Sequence, residues 1–576
     1  MIEDEIKLAV HGPFVLPDLV DPDRGVLAVE PAGSRTLRAT YWDTQDLRLV
    51  RNGVTLRHRT GEDGPPWQLK LPVPGSPGVR EELAAPGGAR EVPAPLRALV
   101  TGWARAGVLV PVATLHTDRK VYRVLGAPGD GGGAAEAVAE PAERAGAAGS
   151  AEPGRVPPAA DGTPEPGTTG AAEPGPGAEP GTAAEPGTGA EPGSAAEPGS
   201  AAEPVERAEL VDDTVSVLDH RRVVARFREI EVERRAADDA TMRWLRDRLV
   251  AAGAVEGAFT PKVVHALGPL ATEPSELPEP PDLSGKSTAG EVVRYSLATG
   301  VRRLVAHDAP VRRHAPDAVH QMRVACRRLR SDLRTFAPLV DPDWAGGLRD
   351  ELKWLGGSLG AARDLEVQRE RIARAAQADP VAPVDAPAVG RIDAVLADRE
   401  KHALAEVEAA LAADRYAQLL ERVVEAARHP ALRPEADLPA EKVLTPLVAK
   451  AWRKLERAVK KLQPYGPDHD WHEVRIKAKR ARYAAEAAAP ALGSAAKWLG
   501  SAASSLQDLL GDHQDAVVAA DTLLGIAAEH PDDLQLAVTC GRLVERERAD
   551  VRRVRAEFPA AWKKARRRRN TRWLRR

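Results

Sequence analysis

Residues 127–204 constrain the fold most. They contain no aromatic side chain and cycle through one unit, as in A-E-P-G-T-A-A-E-P-G-T-G-A-E-P-G-S. Such a stretch cannot bury enough apolar surface to offset the entropy of ordering its backbone, and prolines with like charges keep it extended. Whatever core the 576-residue chain builds must be built around it. Alternating segments stand on both sides, R-K-V-Y-R-V-L before it and A-E-L-V-D-D-T-V-S-V-L after it. The stretch therefore reads as an insertion into one β domain, in place of a hairpin loop between strands near 117–125 and 207–218.

The remaining chain is too long for one core, since single cores stop growing near ~250–300 residues. Residues 1–126 hold short alternating segments bounded by Gly or Pro, with a turn at Gly53, and predict an antiparallel meander that resumes over 205–270. A Pro-rich linker, E-P-S-E-L-P-E-P-P-D-L, lies within 271–285. From 286 to 562 the chain is rich in Ala, Leu and Arg with helical periodicity, which predicts an all-α domain. A basic tail closes it: residues 563–576 carry nine Lys or Arg and no acid.

Overall, 81 basic residues nearly cancel 84 acidic ones for a net charge of -3, so charge acts through separated faces rather than through the total. Cys326 and Cys540 are too few for a disulfide framework and lack zinc spacing. No apolar run reaches the ~18 residues of a membrane helix, and the opening residues lack a secretory leader's pattern, so a cytoplasmic protein with no membrane partner is expected.

In M-I-E-D-E-I-K-L, Glu3, Glu5 and Lys7 share one strand face. Glu229, Glu231 and Glu233 repeat this, as do Arg57 with Arg59, Gln68 with Lys70, Arg80 with Glu82, and Arg119 with Arg123. One solvated face of a sheet is an ordinary cause of such alternation. Here acids and bases are segregated onto different strands. The opposite faces carry large apolar residues able to take helices such as T-M-R-W-L-R-D-R-L-V (241–250). A sheet covered by helices outside and charged inside closes around a polar ligand. Grouped carboxylates suit Mg²⁺ or Mn²⁺, and the facing Arg and Lys suit phosphate.

At these residues the sequence resembles the CYTH superfamily, the triphosphate tunnel metalloenzymes. E-D-E-I-K matches its E-x-E-x-K signature. Y-W-D-T-Q-D-L-R-L-V-R-N-G-V-T-L-R-H-R-T, W-Q-L-K-L-P, R-E-E, R-E-I-E-V-E and P-K-V-V-H-A-L follow in family order over about residues 1–270. The resemblance implies an eight-stranded antiparallel tunnel barrel with outer helices, in a family that cleaves or cyclises triphosphates with Mg²⁺ or Mn²⁺. It makes Glu3, Glu5, Glu229 and Glu231 metal ligands, with Glu3, Glu5 or Glu233 positioning the attacking water. Lys7, Arg57, Arg59, Lys70, Arg119 and Lys262 would hold phosphates. Glu82 and Asp212 are further candidates, and the strand register leaves Asp212 and Asp213 open.

The helical part contains a repeat. H-Q-M-R-V-A-C-R-R-L-R at 320–330 returns as H-E-V-R-I-K-A-K-R-A-R at 472–482, and L-G-A-A-R-D at 359–364 as L-G-D-H-Q-D at 510–515. The offsets, 152 and 151 residues, agree, which predicts two pseudo-symmetric halves. His320, Arg323, Arg327 and Arg330 fall within ~80° of helical arc, and His472, Arg475, Lys479 and Arg482 repeat the stripe. A charge run is commonly a solvated face. This one recurs in both halves with acids at i,i+4 expected to be sparse, so a polyanion is the expected partner.

The repeat resembles the CHAD domain, an α-helical family that binds inorganic polyphosphate, over about residues 286–570. The resemblance makes those eight residues, with Arg328 and Arg480, the polyphosphate contacts. Arg334, Lys353, Arg363, Lys477 and His513 are secondary. Asp364 and Asp515 would orient bases or cap helices. The tail with Trp573 admits nucleic acid as a lesser alternative. The combined expectation is a metal-dependent hydrolase of inorganic triphosphate, or a related triphosphate, joined to a polyphosphate binder, with a non-catalytic polyphosphate scaffold as the alternative. Oligomeric state is not readable.

Overall fold

A computed structural model describes residues 5–73, 80–127, 204–219, 221–256 and 261–575. Glu3 and nearly all of the Ala-Glu-Pro-Gly stretch lie outside the described residues.

The alternating segments form one antiparallel sheet of nine strands: β1 (Glu5–Val10), β2 (Ala28–Asp43), β3 (Thr55–Thr60), β4 (Trp67–Pro72), β5 (Arg80–Ala85), β6 (Val110–Gly126), β7 (Val205–Asp219), β8 (Arg222–Arg234) and β9 (Val255–Glu256). Their order is β5-β4-β3-β2-β6-β7-β8-β1-β9. This corrects the expectation of eight strands in a closed barrel. The two-residue β9 adds beside β1 through Leu8↔Glu256 and Ala9↔Val255, and among the described residues no ladder joins β9 to β5. The sheet still curls, because side chains of β1 and β5, far apart in that order, line the same cavity. The strands that bracket the inserted stretch, β6 and β7, are hydrogen-bonded neighbours in register from Thr114↔Leu218 to Gly126↔Val205.

Short helices α1 (Arg48–Arg51), α2 (Ala94–Leu99) and α3 (Thr101–Ala104) sit between strands. Beyond β8, α4 (Asp239–Ala251) packs Met242, Leu245 and Leu249 on Leu8, Leu210, Ile230 and Val232, the apolar side of the sheet. Next, α5 (Lys262–Leu267) and α6 (Pro269–Thr272) bring Val263 and Ala271 against Tyr41, Leu115, Val215 and Val217 on the opposite side. Val263 thereby stops the apolar end of the curled sheet and leaves Lys262, the first residue of α5, at its charged part.

The Pro-rich segment is pinned to its surroundings. Leu277 is buried in the large core, and Glu276 pairs with Arg105 at 2.8 Å. From Ala289 on, the chain is helical: α7 (Ala289–Ala306), α8 (Asp308–Arg312), α9 (Ala318–Thr335), α10 (Pro342–Gln377), α11 (Ala386–Ala412), α12 (Asp414–Arg428), α13 (Ala440–Lys461), α14 (Asp468–Leu492), α15 (Ser494–Glu529), α16 (Leu534–Ala565) and α17 (Arg568–Thr571). Their starts follow from capping chemistry. Thr288 and Glu291 form a reciprocal capping box on α7. Asp341 and Asp385 each accept from the backbone amide three residues on, Trp344 and Ala388, with a proline in the first two positions of each helix. Leu329 of α9 approaches α7 at Gly300, where an added Cβ would lie 2.4 Å from it.

One apolar core spans both parts, from Trp42, Trp67 and Trp103 through Val305, Val311 and Phe336. At its polar seam Asp308, fully buried, accepts from the Gly102 amide (3.0 Å), the Tyr416 hydroxyl (2.6 Å) and Arg312 (3.2 Å). An added Cβ at Gly102 would meet the Asp308 Cβ at 3.0 Å, so this close approach needs a glycine. Arg105 is buried nearby between Glu276 and Glu421. Such a seam docks the sheet domain on the helices with satisfied polar groups rather than through a loose tether. Cys326 and Cys540 are free and buried. Among the described residues no helix is long and apolar enough to cross a membrane. The basic tail is not a free arm: α17 and the turn after it fold back, burying Asn570 and Thr571, and the Trp573 indole donates to the Asn570 carbonyl.

Candidate functional site

Strand alternation projects one set of side chains into the hollow of the curled sheet. A cavity of about 150 Å³ is lined by Glu5 and Lys7 of β1, Arg57 and Arg59 of β3, Lys70 of β4, Arg80 and Glu82 of β5, Arg119 of β6, Glu231 and Glu233 of β8, and Lys262. The carboxylates gather on β7 and β8. Asp213, Glu229 and Glu231 are all buried, with oxygens within 4.8 Å of one another. Register resolves the pair left open by the sequence: Asp213 faces inward, and Asp212 faces the other way, where it takes both nitrogens of Arg228 at 2.7 Å.

At the focus of the three acids lies an ammonium. Lys262 Nζ is 2.8 Å from Asp213, 2.5 Å from Glu229 and 2.9 Å from Glu231. Arg119 grips Asp213 through two bonds, of 2.8 and 2.6 Å, and reaches Glu231 at 3.3 Å. Lys7 lies 2.9 Å from Glu5 and 3.0 Å from Glu231. Burial opposes charge on Lys262, Lys7 and Arg119, but the surrounding carboxylates outweigh it and raise all three pKa values. Burial pushes the Glu229 carboxyl up. On Glu231 burial is overcome by Lys262, Lys7 and Arg119, which hold it well below the usual range. The triad thus offers unlike acids, one strongly ionised and one reluctant.

The facing wall is basic. Arg57 donates to Gln68 (2.8 Å) and to the Tyr41 hydroxyl (3.2 Å). Arg59 is tied to Glu62, and burial together with the Arg57 charge lowers it to about 10. Lys70 lies 3.3 Å from Glu82. Arg123 pairs with Glu30 away from this wall. Every expected phosphate-holding residue of the sheet domain therefore borders one small cavity. Tyr41 and Glu62 were not anticipated. Tyr41 shares strand parity with Ala39, but a tyrosine in Y-W-D-T reads as core, and Glu62 lies in a turn.

The donor set, three oxygen anions without nitrogen or sulfur, fits a hard divalent cation such as Mg²⁺ or Mn²⁺. Glu5 and Glu233, register partners on β1 and β8, stand beside the triad rather than in it.

The helical domain carries the second group of expected residues. Arg323 of α9 packs over Gly360 and pairs with Asp364 (3.0 Å). Arg475 of α14 packs over Gly511 and reaches Asp515 (4.0 Å). Both repeated motifs thus meet in the same way. Between them stand Arg327 and Lys479, and among the described residues no hydrogen bond or ion pair holds either. Burial, then Arg475, Arg327 and Arg323, lower Lys479 to about 8. His320 and Arg330 are likewise lowered, by burial first and by neighbouring arginines second. His472 contacts Gln514 at 2.5 Å.

Other expected contacts are occupied. Arg328 pairs with Asp332 (3.1 Å) and Glu486, and Arg482 with Glu486 (2.6 Å). Lys477 pairs with Glu473 and Arg363 with Glu366. This corrects the expectation of sparse i,i+4 acids, since Asp332, Glu486 and Glu473 each stand four residues from a base. His513 is buried, stacked on Trp471, and accepts from Arg555 at 3.1 Å; burial and that guanidinium lower it to about 4. Lys353 is exposed on α10.

Comparison with known proteins follows this division. A family model for the CYTH domain matches residues 1–140, and one for the CHAD domain matches residues 296–524. Two uncharacterized Mycobacterium tuberculosis proteins, MT2285 of strain CDC 1551 / Oshkosh and Rv2226 of strain H37Rv, are each 30% identical over 561 residues, which span 94% of this chain and 91% of theirs. PptA from Streptomyces chartreusis is 25% identical, covering 48% of this chain and all of its own, with a TM-score of 0.42. The CHAD domain from the plant Ricinus communis is also 25% identical, over 50% of this chain and 95% of its own, with a TM-score of 0.41. This chain belongs to the proteins that join a CYTH domain, of the triphosphate tunnel metalloenzyme family, to a CHAD domain.

Proposed function

We propose that the sheet domain hydrolyses inorganic triphosphate or a related triphosphate with a divalent cation, and that the helical domain binds polyphosphate. The observation that carries this reading is one small cavity lined by Arg57, Arg59, Lys70 and Arg80 together with Glu231, the member of the buried acid triad that reaches it. Mg²⁺ or Mn²⁺ held by Asp213, Glu229 and Glu231 would neutralise charge on phosphate oxygens. The basic wall binds the anion by bidentate and point-charge contacts and meets the charge that develops on the leaving oxygens. Water attacks the terminal phosphorus, the anhydride bond breaks with the remaining diphosphate as leaving group, and the attacked phosphoryl is released as orthophosphate. Glu5 or Glu233, in the same cavity, orients that water and takes its proton.

Lys262 has a second part here. Without a metal its ammonium shares with Lys7 and Arg119 the balancing of the triad; with one, it is free to turn to the phosphate. The same ion cluster favours the alternative, a tunnel that only binds, because the triad is already balanced by Lys262, Lys7 and Arg119. Incubation with tripolyphosphate and Mg²⁺ or Mn²⁺ separates the two. Orthophosphate release that requires metal and is lost in Glu231→Gln supports the enzyme. Retention on polyphosphate with no release under either metal supports the binder and removes the enzyme.

A further inference from the structure

The sequence repeat within the helical domain is not kept at every charged position. The 152-residue offset carries Arg328 onto Arg480, Asp332 onto Ala484, and Arg334 onto Glu486. Where α9 and α14 meet on one side, Arg328 is neutralised by Asp332 and Glu486. On the other side Arg480 finds an alanine in place of the aspartate and an arginine in place of the glutamate. Burial lowers Arg334, and Arg480 is its leading like-charge neighbour. The result is a groove of about 240 Å³ between α9, α13 and α14. Its charged lining is Arg334, Lys450, Lys454, Lys477 and Arg480, with the Ser331 and Thr335 hydroxyls beside them. Among the described residues only Lys477 of these five has an ion-pair partner, Glu473 at 2.8 Å. Lys450 and Lys454, one turn apart on α13, belong to neither repeated motif.

We propose that this groove is a second anion site of the helical domain, separate from the Arg327–Lys479 cluster, and that it takes the end or a short run of a condensed inorganic phosphate. Five converging cations with one acid beside them leave a charge that a multivalent phosphate satisfies and a single carboxylate cannot. The Ser331 hydroxyl supplies a neutral donor, while the Thr335 hydroxyl is spent on the Ser331 carbonyl at 2.9 Å. The site extends the polyphosphate reading above but does not depend on the tunnel.

Lysine acetylation of the full chain at about pH 8, resolved by mass spectrometry, tests it with tripolyphosphate and with long-chain polyphosphate as probes. Saturating probe is expected to slow acetylation of Lys450 and Lys454 by about fivefold or more, and that of Lys460 and Lys461, further along α13, by less than about twofold. Equal slowing of all four, or none, overturns the proposal. Protection of Lys479 without Lys450 and Lys454 leaves the polyphosphate reading standing and sinks the groove; the reverse pattern leaves the groove and sinks the central cluster. Arg334→Glu restores here the arginine–glutamate pair already present on the other side, so the fold should hold. It is expected to abolish protection at Lys450 and Lys454 while keeping it at Lys479. Arg480→Gln, at an exposed position, should give the same loss. Unchanged protection in both variants overturns the proposal.

Discussion

The two domains carry cations for one class of anion but keep them in opposite states. In the sheet domain Lys7, Arg119 and Lys262 are buried against carboxylates, and their pKa values are raised. In the helical domain Arg475 and Lys479 are half-buried, and burial, with Arg327 and Arg323 beside both, lowers theirs even though Asp515 faces Arg475. A site that must admit metal and phosphate together benefits from acids that hold its bases in place. A site that only holds a polyanion does better with charge left unneutralised, because the ligand then supplies the missing partner. The cost is self-repulsion in the empty state.

The sharpest way to break this contrast is to neutralise one side and read both functions. Glu231→Gln removes the acid that touches Lys7, Arg119 and Lys262. It is expected to lower kcat for tripolyphosphate by a factor on the order of 10²–10³, the range for loss of one preorganised electrostatic group, and to leave retention on long polyphosphate unchanged. The double variant Arg327→Gln with Lys479→Gln should do the converse. If either variant moves both readouts together, the two domains do not bind and cleave independently.

Stability supplies the next test, because one substitution should act with opposite sign in the two places. Lys262→Met leaves three buried carboxylates short of a cation and is expected to cost about 3–5 kcal/mol, as when one partner of a buried ion cluster is removed. Lys479→Met keeps the side-chain bulk but removes a repelled charge, and it should raise the melting temperature. Thermal unfolding of the full chain in metal-free, phosphate-free buffer reads both. A fall in both variants would show that Lys479 is held by partners and not crowded by like charges.

Proton linkage gives a smaller effect. Lys479 titrates near 8 in the folded chain against an ordinary value of 10.5, so the folded state binds fewer protons between those pH values. Stability therefore rises with pH across that window, and the penalty of the buried charge is complete below it. A bound polyphosphate favours the ammonium and raises this value again. Above about pH 8 binding should take up a proton, and affinity should fall by up to about tenfold per pH unit until the bound-state value is passed. Calorimetry at about pH 8.5 in two buffers of different ionisation enthalpy measures the uptake; none at all would remove Lys479 from the site.

The alternation in E-I-K-L and R-E-I-E-V-E was enough to show an inward charged face, because a strand's period of two leaves little choice once the other face is apolar. It could not choose between Asp212 and Asp213, since adjacent acids satisfy either parity and only the ladder with β6 and β8 fixes which one turns inward. Strand count and closure were also beyond it. β9 is two residues long, too short to leave a pattern, and a ladder that stops short of closing differs from a closed one only in three dimensions. In the helices the basic stripe was readable, yet its neutralisation was too. Arg328 with Asp332 and Arg482 with Glu486 are i,i+4 pairs visible in the sequence, whereas the cross-helix bond from Arg328 to Glu486 required the packing of α9 on α14.

That last contact sets up the smallest effect. Glu486 holds two arginines, one from each helix, and so withdraws them from the basic face. Glu486→Gln keeps the shape and a hydrogen-bond acceptor but removes the charge. Two cations then join the unneutralised set, and affinity for long polyphosphate should rise a few-fold, about 1 kcal/mol or less, because both guanidiniums remain about a quarter exposed and are screened by solvent. The melting temperature should fall in the same variant, since Arg328 keeps only Asp332 and Arg482 keeps no ion pair. A gain in binding together with a loss in stability would place the helical domain where the contrast puts it, on a face that trades folding energy for anion affinity. A loss of both would make Arg328 and Arg482 braces of the fold, whose orientation the ligand needs but whose charge it does not use.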